Sequence, residues 1–213
     1  MDNDAAQNVR LARVDPLDVL THELRLMSVA QIGRRWFAHA DSPRRAAAEW
    51  LRRKARRGMV ECWTMTLYPE LAIEEPLCEW RRGMREPDFG AIAWRAASRW
   101  REAPVATVVA QATYKARALT GGFIGGRPIR QSEANHDHHV AAVYLALEKA
   151  SDRNLCWKSE DELKAIGRSY AGGLLPDAFD AATLTAIDFI GSYSSRKLAR
   201  MHRAFEDSDY LWF

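Results

Sequence analysis

Residues Asp41 to Trp63, DSPRRAAAEWLRRKARRGMVECW, decide how the front of this chain reads. Asp41 and Ser42 are good N-cap residues, and Pro43 suits the first helical position, where its missing N–H has no helical partner to lose. At about 100° per residue, Ala47, Ala48, Leu51 and Ala55 share one side and face a core. Arg45, Arg52 and Arg56 share a neighbouring side, with Arg53 close to them. Gly58 supplies the stop, and Met59 to Leu67 (MVECWTMTL) has the β-branched and aromatic content of a strand or a short hairpin.

Upstream, Asp15 and Pro16 repeat the cap-then-proline device before Leu17, Leu20, Leu24 and Met27, whose spacing predicts an amphipathic first helix. Ser28 caps a second, with Val29, Ile32, Gly33 and Trp36 on one face, ending near His39 to Ser42. Three helices followed by a strand or strand pair is the order of a winged helix-turn-helix, expected over residues 10–70, in which the third helix enters the major groove. Arg44, Arg45 and Glu49 then lie nearest the bases, while Arg52 and Arg56, with Arg53 beside them, are placed for phosphates.

Charge supports that reading. Between Arg10 and Val60 stand twelve Lys and Arg against five Asp and Glu, so the remainder is net negative although the chain carries +3. Such segregation favours a polyanion, here double-stranded DNA, over an ordinary solvated surface. At 213 residues and 47% hydrophobic content the chain can fill a real core. Cys62, Cys78 and Cys156 are far apart and form no CxxC pair, which argues against a disulfide framework or a zinc ribbon and for a reducing cytoplasm. MDNDAAQN is too acidic for a secretory signal, and no apolar run approaches the ~20 residues that span a bilayer, so no membrane partner is expected.

Pro69 to Pro87 mixes prolines with both signs of charge and reads as a connector with a short helix around Leu77 to Arg82. A domain boundary belongs there, giving a helical connector over 71–103 and a second domain over 104–213. Phe89 to Trp100 carries Phe89, Ile92, Ala93, Ala96 and Trp100 at helical spacing. Trp94 and Trp100 are aromatics that can stack on bases, but tryptophans on a helix more often anchor a core. Pro104 opens PVATVVAQATY, a buried strand by composition. ALTGGFIGGRP (118–128) has neither Gly-Lys-Ser/Thr nor GxGxxG, so its glycines mark backbone freedom in a loop rather than a phosphate cradle. Asn135 caps a helix through His136, His139, Val143 and Leu147. His136 and His139 share a face, as two metal ligands would, but no third ligand stands at a recognisable spacing. Together with His138 they fit hydrogen-bonded histidines beside a core, or facing a phosphate, better than zinc ligands. Leu155 to Lys158 reads as a strand, and Ser159-x-x-Glu162 as a capping box.

In the last forty residues, Leu184 to Ile190 reads as a strand with Asp188 near its end, Lys197 to Phe205 as a helix, and Tyr210 to Phe213 as a last strand. Asp177 and Asp188 on adjacent strands can hold a hard divalent cation such as Mg²⁺, and a lysine beside them can stabilise the charge built in phosphodiester cleavage. The arginine-rich third helix, the histidine-bearing helix, Pro176-Asp177 and the stretch AIDFIGSYSSRKLARMHRAF ending in YLWF together resemble the replication-relaxation family of plasmids and other mobile elements. The resemblance implies an α+β chain: an N-terminal winged helix-turn-helix followed by an α/β domain similar to the PD-(D/E)xK restriction-endonuclease fold, acting in replication, DNA relaxation or mobilisation. It further implies catalytic and metal-binding roles for Asp177 and Asp188. The lysine of that pattern is missing, because Ile190 occupies its place, and Lys197 would have to reach in from the next helix. That departure favours an inactive site, leaving the domain as a scaffold, a homodimerisation surface or a second grip on DNA. A Mg²⁺-dependent nickase or nuclease is the alternative, and a winged-helix transcription regulator with a dimerisation domain is a third.

Overall fold

A computed structural model of the chain describes residues 15–151, 155–170 and 173–213. MDNDAAQN, Arg10 and Arg13 lie outside the described residues. Among those described, 8 helices and two sheets form a mixed α+β fold. The chain divides into two compact units that interleave in sequence. One takes the described residues up to Thr66 together with Ala106–His138, and the other takes Leu67–Val105 and His139–Phe213. This differs from the consecutive division at 70 and 103 expected from composition, and the reason lies in the first sheet.

In the first unit, α1 (Pro16–His22) starts as expected, with the Asp15 carboxylate accepting the Leu17 N–H. It ends earlier than the apolar spacing predicts, because Met27 and Ser28 form a short strand, β1, paired antiparallel with Ala110 and Val109. Ser28 also caps α2 (Val29–Trp36): its hydroxyl accepts the Gln31 N–H while the Gln31 side chain accepts the Ser28 N–H. α3 (Pro43–Arg56) crosses α2 where Gly33 sits. A Cβ on Gly33 would lie 2.9 Å from the backbone C and O of Pro43, so this contact admits only glycine without a shift. Ala47, Trp50 and Leu51 are the buried residues of α3. Ala55, expected on that side, is exposed, because the inward stripe is centred on Trp50 and runs out before the last turn.

β2 (Val60–Leu67) is one continuous strand. Its sheet neighbour is β4 (Val105–Ala112), the middle strand in the order β1-β4-β2. The Thr113 N–H donates to the Met59 carbonyl at 3.1 Å, so the end of β4 meets the start of β2 and the two strands run antiparallel. Thr113 then caps α5 (Tyr114–Thr120), which Gly121 closes at φ 68°. The glycine-rich loop that follows is a packing device. The Thr21 carbonyl accepts from both Phe123 and Ile124 N–H at 2.9 Å, and a Cβ on Gly122 would lie 2.2 Å from that oxygen.

In the second unit, Cys78–Trp80 form a strand, β3, where a short helix was expected. The backbone of Trp80 pairs with that of Tyr210, and their rings stack 5.3 Å apart, so cross-strand pairing overrides the local sequence. α4 (Phe89–Ser98) buries Ile92 and Ala96. α6 (Gln131–Ala150), which belongs to the first unit up to His138 and to the second from His139, begins before Asn135, which is not its cap: Ala134 N–H already donates to the Arg130 carbonyl at 2.9 Å. The remaining elements are β5 (Trp157–Ser159), α7 (Glu160–Ala165), β6 (Ala178–Asp180), β7 (Thr185–Asp188), α8 (Ser195–Phe205) and β8 (Asp209–Trp212). Ser159 accepts the Glu162 N–H, the serine half of the expected capping box, while the Glu162 carboxylate pairs with Lys158. The sheet runs β3-β8-β7-β6-β5, with β7 and β8 parallel and the other neighbours antiparallel. Its core joins Trp80, Phe179, Ile190, Phe205, Tyr210 and Trp212 with the inner faces of α4 and α8.

Candidate nucleic-acid interface

Pro43 starts α3 as expected although the Ser42 side chain accepts no amide as a cap, and the inward Ala47, Trp50 and Leu51 fix which side faces water. Arg44, Arg45, Arg52, Arg53 and Arg56 are all exposed, and Glu49 is half-buried beside them. Arg45 Nε donates to Glu49 Oε1 at 3.2 Å, one turn along, with the arginine side chain 79% exposed. An exposed i,i+4 pair of this kind contributes at most a few tenths of a kcal/mol, about 0.5. It orients the guanidinium without sequestering it. Among the described residues Arg44, Arg52, Arg53 and Arg56 carry no ion pair, so their charge faces solvent. Lys54 does not join them: its ammonium bonds Asp15 at 2.8 Å and lies over the Trp50 ring at 5.2 Å.

Asp177 and Asp188 do come together, at the ends of β6 and β7. Asp177 Oδ2 accepts the Phe189 N–H at 2.8 Å, and Asp188 Oδ1 accepts the Asp177 N–H at 3.2 Å. Each acid therefore closes the other's strand end. Lys197, in the first turn of α8, stands within electrostatic reach of both: burial pushes its ammonium below the usual lysine range, while Asp177 and Asp188 pull it back up. Tyr193, which the sequence offers only as a tyrosine nucleophile without a metal-binding histidine cluster after it, lies beside Lys197. Its ring lies 3.0 Å under the Lys197 ammonium, and its phenol is pushed up by burial and by the same two aspartates. The Tyr193–Lys197 spacing of four was the available signal. The two carboxylates offer the hard oxygens that Mg²⁺ takes, which fits that ion chemically, although one oxygen of each is engaged by a backbone amide. Ile190, in the position where a lysine would complete the motif, is fully buried and its N–H donates to the Phe213 carbonyl at 2.8 Å.

The histidines diverge. His139 is buried, stacks on Phe189 at 5.0 Å, meets Trp100 edge-on and donates from Nε2 to the Pro69 carbonyl at 3.2 Å. His136 pairs with Asp137, and His138 is buried with its carbonyl accepting from Gln31. Among the described residues no group of three or more His, Cys, Asp and Glu is arranged to hold a metal ion. Trp100 packs against Tyr68 and His139, as an anchor should, whereas Trp94 is 72% exposed.

The chain matches no protein-family model, and no curated protein or solved structure is significantly similar to it. Among the described residues no helix is long and apolar enough to cross a membrane.

Proposed function

We propose that this protein binds double-stranded DNA by laying α3 in the major groove. The observation that carries the reading is the solvent-facing row of arginines on α3, held by a helix whose other side is fixed by Ala47, Trp50 and Leu51. The order of the first unit supports it: helix, short strand, two helices, then two strands in the sheet order β1-β4-β2, as in a winged helix. The wing itself would be the β2–β4 pair, with residues 68–104 in place of a short tip. Arg44 and Arg45 come first along α3 and are suited to guanine edges, while Arg52, Arg53 and Arg56 follow at phosphate height. The resemblance to replication-relaxation proteins supplies the biological setting, replication or mobilisation of a plasmid or mobile element.

Arg45→Ala with Arg52→Ala tests the docking surface. Each phosphate deprived of its arginine takes roughly 0.9 off the slope of log K against log salt. The double variant should bind duplex at least about tenfold more weakly, with a slope shallower by roughly 0.9 for the phosphate that Arg52 holds. Unchanged duplex affinity in a folded variant rules the reading out.

A second reading, Mg²⁺-dependent cleavage of a phosphodiester, is favoured by the meeting of Asp177 and Asp188 at their strand ends, with Lys197 within electrostatic reach of both although it stands outside the usual motif spacing. Asp177 and Asp188 would hold the ion, which supplies Lewis-acid polarisation of a phosphate oxygen when bound. Lys197 would hold positive charge at the same phosphate. Supercoiled plasmid should then be nicked in Mg²⁺ or Mn²⁺, and Asp177→Asn should abolish nicking; plasmid left intact by the wild type removes this reading and leaves the DNA-binding one standing.

A further inference from the structure

We propose that α5 carries the duplex contact onward from the end of α3, with Arg57, Lys115 and Arg117 gripping the phosphate rail that passes that end. The inference rests on the duplex-binding reading and adds to it three cations outside the α3 row. A recognition helix can end against the backbone, so what stands past its C-terminus stands over phosphates. Here α5 takes that place. Thr113, its cap, donates from the amide to the Met59 carbonyl at 3.1 Å and from the hydroxyl to the Gly58 carbonyl at 2.7 Å, and the Lys115 ammonium donates to the Arg57 carbonyl at 2.8 Å. A Cβ on Gly58 would lie 3.9 Å from Lys115 Cδ, so the lysine stem runs across the turn that ends α3.

Lys115 also serves the fold, since its ammonium sits at the negative end of α3, but that bond leaves N–H groups for a phosphate. Arg57 and Arg117 have no such duty. Both are exposed, and among the described residues neither guanidinium makes a hydrogen bond or an ion pair. Arg117 is steadied by shape instead: its guanidinium lies 5.8 Å from the centre of the Tyr114 ring, which is 69% exposed. A Cβ on Gly125 would lie 3.2 Å from Arg117 Cβ, and one on Gly126 2.8 Å from Tyr114 Cβ, so the glycine loop presses on this turn of α5. Arg53 and Arg56, in the last turn of α3, bring the exposed cations at the join to five. Among the described residues, the acids there are Asp18, half-buried on α1, which packs against α5, and Glu61, exposed on β2, while Asp15 and Glu49 are paired with Lys54 and Arg45. Arg127 and Arg130 are left out, because Glu133 pairs with both. Five positive charges against two negative ones fit an extended polyanion. A second copy of the chain fits less well, because a two-fold contact there sets the same cations against each other.

The test titrates the full chain against a fluorescein-labelled blunt duplex over a series of salt concentrations. Arg117→Gln removes no hydrogen bond of the fold, so it should leave the melting temperature unchanged while making the slope of log K against log salt shallower by roughly 0.9. Lys115→Gln with Arg117→Gln should take off roughly 1.8 and weaken binding about fivefold per contact at ~0.15 M salt. If the first change disturbs the end of α3, Arg117→Gln alone still decides. Losses from Arg45→Ala with Arg52→Ala should add to these, because the two groups of cations share no bond. Weaker duplex binding in that α3 variant, with a wild-type slope in both glutamine variants, overturns the proposal and leaves the α3 reading standing. A wild type that binds no duplex sinks both. Dissociation of a dimer in Tyr114→Ala, with the slope unmoved by the glutamine changes, overturns it in favour of a contact between copies.

Discussion

Cys78 and Tyr210 make the β3–β8 pair sensitive to alkali. Burial pushes the Cys78 thiol up to about 11, with Arg95 pulling it down and Glu79 pushing it further up. Burial also raises the Tyr210 phenol, which shares a hydrogen bond of 3.0 Å with His202 Nδ1. In both, the folded value lies above the unfolded one, so the stability each contributes is complete below its unfolded pKa, 9.0 for Cys78 and 10.0 for Tyr210, and is lost as pH climbs through the folded value. The urea midpoint should therefore be flat from pH 7 to about 9 and fall above it, and Cys78→Ser should make the fall between about 9 and 10 shallower without abolishing it, because burial raises the Cys62 thiol as well. A midpoint that stays level to about pH 10.5 would refute the assignment. At this scale the sequence was half legible. The meeting of Asp177 with Asp188 could be read from their strands, and the burial of Ile190 from its apolar character. The exposure of Trp94 could not, since Phe89, Ile92 and Ala96 compete for the same inward stripe and only packing shows which aromatic is left out.

Some helix beginnings were legible because a cap is a local event between residues two or three apart: Asp15, Ser28 and Ser159 each accept the amide expected of them, whereas Ser42 accepts none and Asn135 lies inside its helix. Strand partners were not. Val105–Ala112 reads as a buried strand whichever sheet receives it, and Cys78–Trp80 has too few residues to show a period. Gly33 is the element-scale constraint with the clearest consequence. Gly33→Ala gains helix propensity of at most about 1 kcal/mol but drives a methyl into the Pro43 backbone, which cannot rotate away as a side chain can. Overpacking of this kind costs about 1–3 kcal/mol, so thermal denaturation should come earlier. Because α3 must back away from α2, duplex affinity should fall as well. A variant more stable than the wild type would show that the crossing is looser than described.

For the molecule as a whole, α+β content was readable from periodicity, but the division of the chain was not, since nothing in a linear pattern announces that two sheet neighbours are separated by a segment belonging elsewhere. β2 and β4 are adjacent, and residues 68–104 lie between them in sequence. A fragment ending at residue 70 therefore lacks the middle strand of its sheet and should show no cooperative melt by circular dichroism, whereas one that joins Thr66 to Ala106 through a short glycine linker and runs to His138 should melt cooperatively. Cooperative folding of the shorter fragment would contradict the strand order. The same interruption governs how the protein is made. On the ribosome the arginine helix emerges early, yet the strand that completes its sheet emerges only after the intervening segment has been synthesised. Closing so long a loop is entropically slow, so the nascent arginine-bearing unit waits, unfinished, on residues translated well after its own.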